Sequence, residues 1–352
     1  MLISVKEEAI IMKFNENRKE EIKLYILQKI AMKSTSISKS ASEAFEINPS
    51  TIHSYLNELI NDGIIKKVKR DTYELVTENY TFDLSRSRGE LKNDSAVFNM
   101  CLRNQISHLG KNVQGIWSYA FSEMINNAME HSEAENVKVI ISQNYISTKA
   151  IIIDNGVGIF NKIKKYFKLD TLDDAICELF KGKLTTDKEN HSGEGIFFSS
   201  RLMDYFEIIS DGKKFANNKY NESIVLNLQI ENQKGTCVNM ELSNFSHRRA
   251  KDVFDEYSSI DEGFVKTGLP LKNIFDASPV SRSQAKQLCA RLDNFKEVIL
   301  DFNEIEWMGQ GFAHQIFVVF AKQNPDIKIS AVNMNEDVEK MYRHVILTKY
   351  SD

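Results

Sequence analysis

An apolar run, Ala150-Ile-Ile-Ile, passes straight into Asp154-Asn-Gly-Val-Gly-Ile159, and this junction restricts the fold more than any other stretch of the 352-residue chain. The run reads as a strand. Gly156 and Gly158 at its end permit backbone conformations, and a close ligand approach, that a side chain would block. A second pair, Gly193 and Gly195, lies in His191-Ser-Gly-Glu-Gly-Ile-Phe-Phe198 and leads into a helical stretch through Met203. A glycine pair opening a helix offers free N–H groups and the positive end of the helix dipole to a phosphate. Upstream, residues 117–132 (WSYAFSEMINNAMEHS) read as a helix on which Glu123, Asn127 and His131 are spaced four apart and share one face. Ala120, Met124, Ile125 and Ala128 supply its buried side. Alone, that polar stripe reads equally as a solvated face. Followed by a second strand-like segment (136–142), the DNGVGI junction and the later GEG, it becomes an ordered constellation for binding a phosphorylated ligand.

These residues resemble the ATP-binding domain of the GHKL superfamily (gyrase, Hsp90, histidine kinase, MutL). Glu123, Asn127 and His131 match its N-box, Asp154, Gly156 and Gly158 its first glycine box, and Gly193 and Gly195 its second; residues 235–242 (GTCVNMEL) are similar to its final strand. The resemblance implies a Bergerat-type two-layer α/β sandwich with ATP between the helices, under a flexible lid over 160–192 that includes Lys181, Lys183, Thr185 and Thr186. It also implies roles. Asp154 would accept a hydrogen bond from the adenine amino group, with Thr236 near the adenine pocket. Asn127 would ligate Mg²⁺ through its oxygen, a hard ligand for a hard ion. His131 would approach the phosphates, the amides at Gly193 and Gly195 would cradle them, and Glu123 would be the general base. Within the superfamily the closest likeness is to anti-sigma-factor serine kinases, whose N-box has the same Glu-x-x-x-Asn-x-x-x-His spacing. A two-component kinase is disfavoured, because His108 sits in QISHLGKN without a heptad repeat.

Ahead of this region, residues 15–78 read as three helices and a hairpin. Residues 18–33 carry an apolar stripe at Ile22, Ile26, Leu27 and Ile30, a short helix follows near 38–45, and the third begins at Asn48-Pro49 and stops before Gly63. Residues 64–76 alternate like a two-stranded wing in which Lys66, Lys67, Lys69 and Arg70 cluster. The pattern resembles a winged helix-turn-helix domain. In that case Thr51, His53 and Asn57 would approach the major groove and Lys66, Lys67 and Lys69 the phosphates. Residues 1–78 carry 12 basic and 12 acidic side chains, a net charge of zero, so DNA and a protein partner both stay open as targets.

After an expected linker at 80–97 and the ATP-binding domain at 98–245, residues 262–352 alternate strands (297–302, 327–333) with helices (280–295, 311–323, 336–347), the pattern of a helix-covered parallel or mixed sheet. LDFNEIEWMGQGFAHQIF resembles the STAS-like relatives of anti-sigma-factor antagonists. Antagonists carry a phospho-accepting serine in a Met-Asp-Ser-Ser-Gly loop, whereas this loop reads Met308-Gly-Gln-Gly-Phe312 and Gln310 cannot be phosphorylated. Ser281 reads as a helix cap and His314 as a satisfied core residue. The expected fold class is therefore multidomain α/β: winged helix, Bergerat-type sandwich and STAS-like domain.

Charge and cysteines narrow the function further. With 45 basic against 49 acidic side chains, net −4, a nucleic-acid coat or polybasic membrane anchor is excluded. Four cysteines without a CxxC pair argue against a disulfide framework or zinc knuckle. The most apolar short stretch, 316–321, is far below the roughly 20 residues that span a bilayer. The expectation is a cytoplasmic, homodimeric, ATP- and Mg²⁺-binding regulator without a membrane partner, whose site switches a DNA- or partner-binding winged helix and a STAS-like domain that docks a regulatory protein. The alternative is a serine/threonine protein kinase of the anti-sigma-factor type.

Overall fold

The computed structural model describes residues 2–184, 193–217, 234–275 and 277–348, apart from the side chains of 2–15 and 348. Two compact units result: one of residues 1–80 with 142–148 and 243–245, the other of 81–141, 149–242 and 246–352.

The first unit is built on α1 (Leu2–Ala31), α2 (Ile37–Phe45) and α3 (Pro49–Asn61), followed by β1 (Ile65–Lys69) paired antiparallel with β2 (Thr72–Leu75). The Asn48 side chain accepts a hydrogen bond from Ser50 N at 2.9 Å, and Pro49 occupies the first turn of α3, where its missing N–H costs nothing. Ile52, Leu56 and Leu59 then fall on one face and pack with Ile22, Ile26, Leu27 and Ile30 of α1.

The second unit holds a six-stranded sheet and a separate three-stranded one. β3 (Glu78–Ser85) is an edge strand of the larger sheet, whose order is β3-β4-β5-β8-β6-β7. This corrects the expected linker at 80–97: its first residues complete β3, and from Asp94 the chain is helical again in α4 (Asp94–Cys101), capped by Asn93. The polar residues that suggested a linker alternate with half-buried ones, as an edge strand requires. Next come α5 (Arg103–Ile106), α6 (Lys111–Asn126) and a single π-helical turn at Asn127–His131. The strand β4 (Asn136–Gln143), β5 (Ser147–Asp154), α7 (Ile159–Phe167), α8 (Leu172–Lys181) and α9 (Gly195–Leu202) follow. β6 (Tyr205–Ser210) and β7 (Lys213–Ala216) form an antiparallel hairpin, and β8 (Thr236–Ser243) pairs antiparallel with β6.

α10 (Ala250–Tyr257) and the short β9 (Ser258–Ser259) and β10 (Gly263–Phe264) lead to the smaller sheet. That sheet is parallel, in the order β11 (Lys266–Pro270), β12 (Glu297–Asp301), β13 (Lys328–Val332). α11 (Leu271–Ile274) and α12 (Arg282–Cys289) connect the first two strands; α13 (Gln310–His314), a π-helical stretch at Gln315–Phe320 and α14 (Ala321–Gln323) connect the next, and α15 (Glu336–Thr348) closes the chain. The helix expected over 280–295 stops early. Ala290 turns to extended backbone and Arg291 adopts φ +60°, so only a 3-10 turn at Leu292–Asn294 continues it. Ser281 caps α12 in a reciprocal capping box with Gln284. His314 departs from expectation in one respect: among the described residues its Nδ1 is buried without a hydrogen-bond partner.

Candidate functional site

The second unit encloses a cavity of about 260 Å³ against one face of the six-stranded sheet. Its floor is Ile152 and Asp154 of β5, Ile208 of β6, and Thr236 and Val238 of β8. The positions are those that strand alternation sends to one side, since Ile208 pairs with Val238 and Ser210 with Thr236. Glu123, Asn127 and His131 form another wall, and Gly158, Gly193 and Gly195 border it. Residues up to 115 positions apart in the chain, from Glu123 to Val238, thus meet around one hollow.

Local chemistry positions each of them. Asp154 ends β5 almost wholly buried, at 6% exposure, and its Oδ1 accepts from Gly156 N at 2.8 Å and Thr236 N at 3.2 Å. Burial pushes its pKa up, and those two backbone donors pull it partly back. Thr236 Oγ1 accepts from Ile159 N at 3.2 Å, tying the start of α7 to the sheet. Gly156 lies against the Ser132 carbonyl, while Gly158 takes φ +81°, where a Cβ would stand 2.5 Å from Asp211 Oδ1. Gly195 is required for a different reason: a Cβ there would sit 2.0 Å from Glu123 Oε2, so the glutamate carboxylate lies directly on the opening of α9. Glu194, at the N-cap of α9, makes no side-chain cap hydrogen bond of its own, and it is the Glu123 carboxylate that lies at this helix opening. Tyr119, one turn before Glu123, has its pKa pushed well up by burial and then by the charges of Glu123 and Glu194. Asn127 stands in the π-helical turn, and its carboxamide nitrogen makes only a weak 4.0 Å contact with Met124 Sδ.

Three residues of this site were not read from the sequence. Lys162 lines the cavity from α7, with its Nζ donating to the His131 carbonyl at 2.5 Å. The run Asn161-Lys-Ile-Lys-Lys165 offers three lysines that no local pattern tells apart. Asp211 accepts from Asn161 N at 3.0 Å and Asn161 Nδ2 at 2.5 Å, and Ser210 Oγ donates to Gly235 O at 2.8 Å. These two were legible. Asp211-Gly212, both at positive φ, is the two-residue turn that joins β6 to β7 between apolar runs.

The expected lid is also different in kind. Over its described part, 160–184, it forms two helices, and α8 is buried all round from Ala175 to Lys181. Its two buried charges, Glu178 and Lys181, pair with each other at 2.6 Å, as burial of ionised groups requires. Leu184 N and Gly193 O are joined at 2.9 Å. Thr185, Thr186 and the rest of 185–192 lie outside the described residues. Among the expected DNA contacts, His53, Asn57, Lys66, Lys67 and Lys69 are exposed and Thr51 half-buried; Lys66 also pairs with Glu74 at 3.2 Å.

No cluster of three or more acidic, histidine or cysteine side chains able to cage a metal occurs among the described residues. A Mg²⁺ ion would need no such cage: it keeps several waters and takes the remaining ligands from one side chain and a nucleotide's phosphates. The carboxamide of Asn127 suits that part. All four cysteines are buried and free, and burial pushes the thiols of Cys101, Cys237 and Cys289 up to about 12 and that of Cys177 to about 11.

Fold and cavity together define a mixed α/β protein with several sheets and a hollow that has a buried acid in its lining. Residues 284–339 match the family described as a STAS-like domain of unknown function (DUF4325), so the C-terminal α/β part of the chain is STAS-like. No curated protein matches the chain. No helix among the described residues is long and apolar enough to cross a membrane.

Proposed function

We propose that this chain is a cytoplasmic ATP-binding regulator of GHKL type, in which Mg²⁺–ATP in the cavity switches a winged-helix unit that contacts DNA or a partner and a STAS-like docking domain. One observation carries this reading. The cavity has a buried acid, Asp154, at its floor and is bordered by Gly193 and by Gly195 at the start of α9, with Glu123 and Asn127 on its wall. Adenine, whose amino group donates, suits Asp154, which has one oxygen already engaged by backbone amides. Phosphates suit the positive N-terminal end of α9 and the Lys162 ammonium, both at the cavity. At the start of α7, Ile159 N already bonds to Ser210 and Thr236 and Asn161 N to Asp211, so these two amides do not serve. Bound at Asn127, Mg²⁺ would supply charge neutralisation for the phosphates.

Glu123, on the cavity wall, is the proposed general base. In hydrolysis, water oxygen bonds to the terminal phosphorus, the bond to the bridging oxygen breaks, and the water proton passes to Glu123. Turnover is slow and acts as a timer. The test is to follow γ-phosphate-labelled ATP with Mg²⁺ on wild type and Glu123→Ala. Nucleotide binding by both, with inorganic phosphate released by wild type alone, is the expected result. Label retained on the chain or passed to a second protein would replace the hydrolysing switch with a protein kinase. No nucleotide binding by wild type would end the reading.

A further inference from the structure

α8 serves two structures at once. Leu179, with Gly182 and Leu184 just beyond the helix, lines the cavity. Between and beside these residues, Glu178, Lys181 and Lys183 hold the C-terminal α/β part. Lys181 Nζ, 1% exposed, donates to Glu178 Oε1 at 2.6 Å, to the Ala290 carbonyl at 2.7 Å and to the Gln287 carbonyl at 3.1 Å. The last two carbonyls lie at the end of α12, where helix geometry leaves them without N–H partners and the dipole favours a cation. Glu178 Oε2 meets Arg291 Nε at 3.0 Å, and the Arg291 guanidinium covers the Phe167 ring at the end of α7. Thr267 Oγ1 of β11 donates to the Lys181 carbonyl at 2.8 Å. Gly182 completes the seam, since a Cβ there would stand 2.8 Å from the Phe264 ring and 2.9 Å from Phe197. Lys183 Nζ donates to the Asn294 carbonyl at 2.8 Å.

We infer that the STAS-like domain fixes the α8 wall of the cavity, with Glu178, Lys181 and Arg291 as positioning residues for the bound nucleotide. The inference rests on the reading of the cavity as an ATP site. A buried, fully hydrogen-bonded charge cluster does not yield gradually, and close-packed interiors pass displacement on rather than absorb it. A shift of α12 therefore moves Leu179 and Gly182. By linkage, a nucleotide pressing on that wall must act on α12 by the same factor. The STAS-like domain thereby tunes the site it adjoins instead of receiving its phosphate.

The test uses the full chain. ATP dissociation constants are measured for wild type, Arg291→Ala, Arg291→Lys and Thr267→Val, together with hydrogen exchange of amides 287–292 with and without ATP. Arg291 is partly exposed, so its truncation leaves the core intact, and Thr267→Val removes one hydrogen bond at constant shape. Arg291→Ala is expected to weaken ATP binding by roughly 5- to 150-fold, the usual span of coupling between sites, with Arg291→Lys recovering part of it. Exchange at 287–292 in wild type slows when ATP is added. A seam that only holds the fold together would lower the melting temperature yet leave that exchange blind to ATP. Equal dissociation constants in all four proteins, with exchange unchanged, overturn the inference while the ATP site stands. Failure of wild type to bind ATP removes both.

Discussion

Under the proposed ATP reading, selectivity would turn on Asp154, a carboxylate held out of water by the fold and hydrogen-bonded by two backbone donors. Its raised pKa means that the folded protein takes up a proton more readily than the unfolded chain does. The stability it contributes is present below the ordinary aspartate pKa and is lost as pH rises through the raised value. Asp154→Asn keeps the Oδ1 acceptor and removes the buried charge. Its melting temperature should therefore gain on that of wild type as pH rises from about 3.8, the unfolded value, through the mildly acidic range. ATP binding should meanwhile fall roughly 10- to 100-fold, the loss of a hydrogen bond to a charged group. Calorimetric melting across pH and a binding titration at neutral pH check the two halves. An unchanged adenine affinity would remove Asp154 from the recognition role. Glu123, Asn127 and Asp154 were legible in the sequence because each belongs to a local spacing; Lys162 was not, because only its place over the His131 carbonyl distinguishes it from Lys164 and Lys165.

At the scale of elements, the β6–β7 hairpin does more than extend the sheet. Asp211 in its turn fastens Asn161, so the hairpin holds the α7 side of the Gly158 bend. Asp211→Ala should cost about 1–2 kcal/mol, or about 2–4 °C of melting temperature for a domain of this size, and should weaken ATP binding as the bend loosens. Melting and binding that both match wild type would show the anchor to be idle. The hairpin was available to sequence reasoning through Asp-Gly between apolar runs. α8 was not read as a wall: the resemblance made 160–192 a flexible lid, and AICELFK carries acid and base among its apolar residues, so no local pattern marks it as buried. Burial of Glu178 and Lys181 becomes tolerable only because Arg291 and two carbonyls from more than a hundred residues away complete their bonding.

At the scale of the whole molecule, the chain carries its basic side chains evenly, so any DNA affinity must come from the local cluster on β1 rather than from net charge. Lys66, Lys67 and Lys69 are exposed there, beside His53 and Asn57 on α3 in the same unit. Replacing the three lysines with alanine should weaken DNA binding uniformly across sequences and reduce the log–log salt slope by roughly 2–3, about 0.9 per phosphate contact. ATP should change the affinity of the intact protein. Absence of any DNA affinity at low salt would assign the first unit to a protein partner, whose capture should then depend on ATP.

What the sequence determined by itself is local. Periodicity and capping signals set the helices of the first unit, the Asn48-Pro49 start of α3 and the buried side of α6 at Ala120, Met124 and Ile125, since side-chain phase and capping involve only neighbours a turn away. The π-helical turn that carries Asn127 and His131 departs from the regular helix expected there. The glycine boxes announced close approaches because only glycine admits them, and Gly158 and Gly195 now show against what. Tertiary structure decided which of these pieces meet. The cavity exists because strand pairing turns Asp154, Ile208 and Thr236 to one face, and its α8 wall stands where it does because Lys181 finds the end of a helix 106 to 109 residues further along. Contacts at such separations are set by the packing of finished elements, and no periodicity in the chain records them.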